Sequence, residues 1–108
     1  MAMTLVVTRD VAARYRGFLA SCMLEVAAGV YTAPDMTRAV RERVWKVLED
    51  WHAAEATGVV IMTWPDASAP GGQSMMFLGE PPKDFWVMDG LVVVRRELPA
   101  EPSTNSEK

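Results

Sequence analysis

Between residues 36 and 54 apolar side chains recur at intervals of three and four: Met36, Val40, Val44, Val47, Leu48 and Trp51. That period predicts an amphipathic helix with one buried stripe. Short β-branched runs flank it, "VYT" before and "VVIMTW" after. A chain that alternates such runs with amphipathic helices must lay its helices on a sheet. This order of elements restricts the fold more than any single motif does.

The first run, "MTLVVT" at 3–8, reads as a buried strand. Asp10 then stands where a helix N-cap belongs, ahead of a helix predicted over 11–25. Its apolar face is Val11, Tyr15, Phe18, Leu19, Cys22 and Val26. Gly17 lies inside this helix, where glycine costs about 1 kcal/mol relative to alanine. Close approach of another backbone or of a ligand would explain it. A short strand is predicted over 27–33, and Pro34-Asp35 marks the start of the second helix. Residues 57–64 and 73–79 read as a strand pair around the turn "PDASAPGG". A last strand region spans 85–94, interrupted at Asp89-Gly90. The resulting order is β-α-β-α-β-β-β.

These elements give an α+β fold: two helices on one face of a mainly antiparallel sheet, with an extra C-terminal strand. The arrangement is compatible with a ferredoxin-like two-layer sandwich. The other sheet face would be apolar, and a second copy of the chain is the simplest cover for it. With 108 residues, the chain has room for one domain, placed at 1–98. The polar segment 99–108 reads as a flexible tail.

Composition narrows the partners. No stretch reaches the roughly 18 apolar residues of a membrane span. The apolar N-terminus is too short for a signal peptide and lacks a basic start. The single Cys22 rules out an intrachain disulfide and fits a reducing cytoplasm. Net charge is −3, divided unevenly: +3 over residues 1–46 and −6 over 47–108. The acidic whole argues against non-specific nucleic-acid binding. The split permits one basic and one acidic face.

Few residues carry recognisable chemistry. His52, the single histidine, suits the helix dipole near a C-terminus. Cys22, on the apolar helix face, reads as a buried structural thiol. The tryptophans and the Met75-Met76 pair read as core or interface. No glycine-rich segment has the spacing of a phosphate loop. Asp10 has two readings: a helix cap, or an acid holding Mg²⁺ with its copy across a dimer axis. The arginines say more. Arg9, Arg14 and Arg16 crowd the start of helix one, and Arg38 and Arg41 share a face at the start of helix two. Positive side chains there oppose the helix dipole, so helix stability does not explain them. Helix N-termini together with guanidinium forks suit phosphate.

The stretches "RYRGFLA", "MLEVAAGVY" and "VRERVW", with "VVIMTW", "FLGE" and "DGL" following in order, resemble the small subunit of CRISPR adaptation. That is the second CRISPR-associated core protein family, in its type I-E branch. The resemblance covers about residues 1–98. It implies a ferredoxin-like homodimer seated between two dimers of the adaptation integrase, the first CRISPR-associated core protein. That assembly would hold a double-stranded protospacer and insert it into the CRISPR array, in the cytoplasm and without a membrane. The integrase would do the chemistry, and the platform itself would need no cofactor. By the same resemblance Arg14, Arg16, Arg38 and Arg41 are phosphate contacts, with Lys83 as a further candidate. Relatives place a metal-binding acid at the end of strand one. Here Arg9 takes that place, with Asp10 after it.

Three expectations follow: a non-catalytic DNA platform, a Mg²⁺-dependent endonuclease using Asp10 across a dimer interface, or a ferredoxin-like dimer whose arginines are merely solvated.

Overall fold

The computed structural model describes residues 3–79, 84–88 and 91–95. Lys83, the Asp89-Gly90 interruption and the 99–108 tail lie outside the described residues, as does the boundary at 98. The elements are β1 (Thr4–Arg9), α1 (Ala13–Cys22), β2 (Leu24–Ala27), β3 (Val30–Ala33), α2 (Arg38–Ala54), β4 (Val59–Pro65), β5 (Gln73–Leu78), β6 (Asp84–Met88) and β7 (Leu91–Arg95).

The main sheet has the order β2-β3-β1-β4-β5, every neighbouring pair antiparallel. The first four strands and the two helices form the ferredoxin-like α+β sandwich, and β5 extends the sheet through a hairpin with β4. Where the sequence suggested one interrupted C-terminal strand, β6 and β7 pair antiparallel in a sheet of their own.

Register sorts the side chains. Val6 is paired with Tyr31 on one side and Met62 on the other, and all three are fully buried. Together with Val60 they form the sheet side of the core. The helices supply Tyr15, Leu19, Val44, Trp45 and Leu48. The opposite sheet face carries Leu5, Val7, Ile61, Met75 and Phe77, all half-buried.

Both ends of α1 differ from expectation. Asp10 is not its cap. The cap position is Ala12, with no side-chain hydrogen bond. β1 runs through Arg9, and Asp10 turns the chain at φ 57°, a left-handed conformation that aspartate tolerates better than most residues. At the other end the helix stops at Cys22, because Leu24–Ala27 pairs with β3. The turn between β2 and β3 uses Gly29 at φ 76°, whose carbonyl accepts from the backbone N–H and hydroxyl of Thr8. Val26 is therefore exposed on an edge strand and is no part of a helix face. Cys22 is exposed too, which corrects its reading as buried. Burial of part of the group still pushes its thiol pKa up.

Pro34-Asp35 form a turn, and α2 begins three residues after Asp35, at Arg38. Thr37 caps it, accepting from the Val40 N–H at 3.2 Å. On the exposed side of α2, Arg38 pairs with Glu42 and Lys46 with Asp50, both i,i+4, so Glu42 and Lys46, themselves four apart, do not pair with each other.

Candidate nucleic-acid interface

The arginines occupy two ends of the helix layer. Arg14 and Arg16 lie in the first turns of α1, two residues apart, so they leave the helix on different sides. The Arg14 guanidinium lies 5.1 Å from the Trp51 ring centroid and 5.9 Å from that of Tyr15. Trp51, in the last turn of α2, is held by edge contacts to Tyr15 and Phe18, each with centroids 5.4 Å apart. Arg14 thus spans from the start of one helix to the end of the other.

Arg16 takes the other side. It lines a cleft of about 230 Å³ with Thr8, Asp10, Val11, Ala28 and Gly29. Its charge is also felt at Tyr31, whose phenol pKa burial pushes up, with Glu25 adding to the rise and Arg16 opposing it. Asp10 and Arg16 therefore share one small concavity. Among the described residues no three His, Cys, Asp or Glu side chains cluster to hold a metal ion. One carboxylate beside a guanidinium does not fit Mg²⁺ within a single chain, so no step through the metal follows from this geometry.

The second basic pair stands at the opposite end of α2. Arg38 and Arg41 line a cleft of about 420 Å³ with Glu42, Trp64, Pro65, Asp66 and Ser68. The Arg38 Nε donates to Glu42 Oε2 at 2.9 Å, so part of its charge is already answered. Arg41 lies over the Trp64 ring, 4.1 Å from its centroid. Its Nε is buried without a hydrogen-bond partner. Asp66 forms the far wall. It accepts from the Ser68 N–H at 3.0 Å, the Ser68 hydroxyl at 2.7 Å and the Ser74 hydroxyl at 2.8 Å. Those bonds, chiefly from Ser68 and then Ser74, hold its carboxyl below the usual range, and the charge of Arg41 adds to the effect.

Over residues 3–93 the chain matches the model of a family described as CRISPR-associated protein (Cas_Cas2CT1978). The chain belongs to that Cas2 family. Membership supports a role in CRISPR adaptation.

In this Cas2-family chain the spacing of the basic groups follows from α2. Arg41 and Trp51 are ten residues apart on one helix, about 15 Å along its axis. Arg14 rests on Trp51 near the end of α2, and Arg41 lies near its start. Gly17, on the exposed side of α1, has no atom within 4 Å of an added Cβ. No neighbouring backbone explains it, which removes one of the two reasons expected from the sequence. Sequence reasoning placed all these arginines at helix starts but missed the rings under two of them. Arg14 and Trp51 lie 37 residues apart and Arg41 and Trp64 lie 23 apart, too far for any local pattern.

Among the described residues no helix is long and apolar enough to cross a membrane.

Proposed function

We infer that this chain is a non-catalytic, duplex-binding platform in a type I-E spacer-acquisition complex. It works as a homodimer between dimers of the adaptation integrase, in the cytoplasm, and grips the backbone of a double-stranded protospacer. The observation that carries this reading is the placement of guanidinium groups at both ends of the helix layer, of which Arg14, Arg16 and Arg41 have no ion pair among the described residues. The two sites lie near opposite ends of α2, with Arg41 and Trp51 ten residues and about 15 Å of helix apart, which suits a backbone track more than a single phosphate. Such contacts position a duplex without reading its sequence. Lys83 joins them as a candidate on the strength of the family resemblance. The apolar sheet face with Leu5, Val7, Ile61, Met75 and Phe77 suits burial against a second copy. The platform role asks for no cofactor.

The test is duplex affinity against salt, measured by fluorescence anisotropy with the cognate integrase present. Arg14→Ala with Arg16→Ala should weaken binding and flatten the dependence of log affinity on log salt by about 0.9 for each phosphate no longer neutralised. An unchanged slope and affinity would leave the arginines merely solvated and contradict the reading.

One observation favours the endonuclease alternative. Asp10 holds a left-handed backbone at a strand end, and such strain concentrates at functional sites. That reading requires Mg²⁺ and the carboxylate of a second Asp10 across a dimer axis. It predicts metal-dependent cleavage that Asp10→Asn abolishes while duplex binding survives.

A further inference from the structure

We propose that Trp64 and Trp51 are positioning residues for duplex binding, each holding one guanidinium, of Arg41 and Arg14 respectively, in place for a phosphate. The inference rests on the platform reading and names what prepares its contacts.

Gripping a phosphate with arginine has an entropic cost. A free arginine side chain has large rotamer entropy, part of it forfeited when the guanidinium is fixed. A ring beneath the guanidinium removes part of that freedom beforehand through the cation–π attraction. Stacking also leaves the in-plane N–H groups directed outward, because the ring engages only the flat face. In Arg41 the ring contact is present while Nε is turned away from solvent, so the two terminal nitrogens are the ones left for a phosphate. The guanidinium lies 4.1 Å from the Trp64 centroid, and its Nε is shielded from solvent with no hydrogen-bond partner. No ion pair holds it among the described residues, whereas Arg38 next to it is bound to Glu42. The ring is therefore the main restraint on Arg41, assisted by the charge of Asp66 across the cleft.

Trp64 is itself fixed. It lies on β4, opposite Ser74 of β5, and packs against the core. Trp51 is fixed by the edges of Tyr15 and Phe18. Each arginine on a flexible stem thus rests on a ring anchored in a different element, so each contact is tied to the assembled fold and not to one helix. Among the described residues Arg16, Arg38, Arg43 and Lys46 have no ring contact, so the device belongs to Arg14 and Arg41.

The experiment is a double-mutant cycle on duplex affinity, using the full chain with its cognate integrase. The proteins are wild type, Trp64→Leu, Arg41→Ala and the double variant, with Trp64→Phe as the conservative control. A parallel cycle uses Trp51→Leu and Arg14→Ala. Trp64→Leu should weaken binding about threefold to tenfold when Arg41 is present and have no further effect when it is absent. Trp64→Phe should recover most of the loss. In the free protein, a proton–nitrogen correlation spectrum should show the Arg41 Nε–H shifted upfield by the ring current, and Trp64→Leu should abolish that shift. Equal losses with and without Arg41, or a Trp64→Leu protein that binds like wild type, would overturn the positioning role while leaving the platform reading intact. A wild-type protein that fails to bind duplex would overturn both.

Discussion

A Cβ added to Gly58 would stand 2.5 Å from the carbonyl oxygen of Asp10 and 2.5 Å from that of Arg9. The approach locks the end of β1 against the start of β4, and Gly58 itself has φ +71°. It also explains the shape of the chain at Asp10: the bend carries the backbone across a glycine that leaves room for it. Gly58→Ala should therefore destabilise the protein by about 2–4 kcal/mol, combining a left-handed penalty with a backbone clash. Urea unfolding of the two proteins measures this directly.

Asp10 should respond to substitution as a left-handed residue and not as a cap. Asp10→Gly should be neutral or slightly stabilising, because glycine adopts φ near 57° freely. Asp10→Val should cost about 1–2 kcal/mol or more. Thermal unfolding of the two variants separates them. A similar loss in both would point to a side-chain contact at this position.

Gly17 is helical, exposed and unopposed within 4 Å. Gly17→Ala should stabilise the protein by about 0.5–1 kcal/mol. The same variant should weaken duplex binding if the backbone of α1 passes close to phosphate between Arg14 and Arg16. Measuring both properties on one protein separates the two uses of the glycine.

Asp66 links pH to the β4–β5 connection. Its folded pKa is depressed by the hydroxyl and backbone donors of Ser68 and Ser74. A depressed carboxyl contributes stability above its unfolded pKa, near 3.9, and loses it as pH falls through the lower folded value. Order in residues 66–74 should thus be constant from neutral pH down to about 5 and decline only below about 4. Amide chemical shifts of Ser68 and Ser74 against pH report it, and Asp66→Ala should remove the transition.

The sequence made legible those elements whose signal is local. α2 followed from its stripe, although Met36 lies before the helix and Val40 on it is exposed; β1 and β4 followed from β-branched runs, and the β4–β5 hairpin from a proline- and glycine-rich turn. The ends of α1 were not legible, for two physical reasons. Leu24 and Val26 continue a helical spacing, but pairing with β3 draws them into a strand, a tertiary effect that local periodicity does not contain. Asp10 has the chemistry of a cap, but the approach of Gly58, nearly fifty residues later in the chain, accompanies a bend in its place. The same error carried Cys22 onto a buried face. Trp45, next to Val44, widens the buried side of α2 beyond the narrow stripe read from spacing. Helix-start arginines were visible from the sequence, whereas their partners, Trp51, Trp64 and the Asp10 cleft, required the fold.

On this account the arginines grip a duplex and Asp10 performs no chemistry. Spacer integration by the purified chain with its cognate integrase tests that pairing of roles most directly, comparing wild type, Asp10→Asn, and Arg14→Ala with Arg16→Ala, each shown to be folded. The account predicts normal integration by Asp10→Asn and failure of the arginine double variant. A folded Asp10→Asn protein that cannot integrate, beside an active arginine variant, would contradict it.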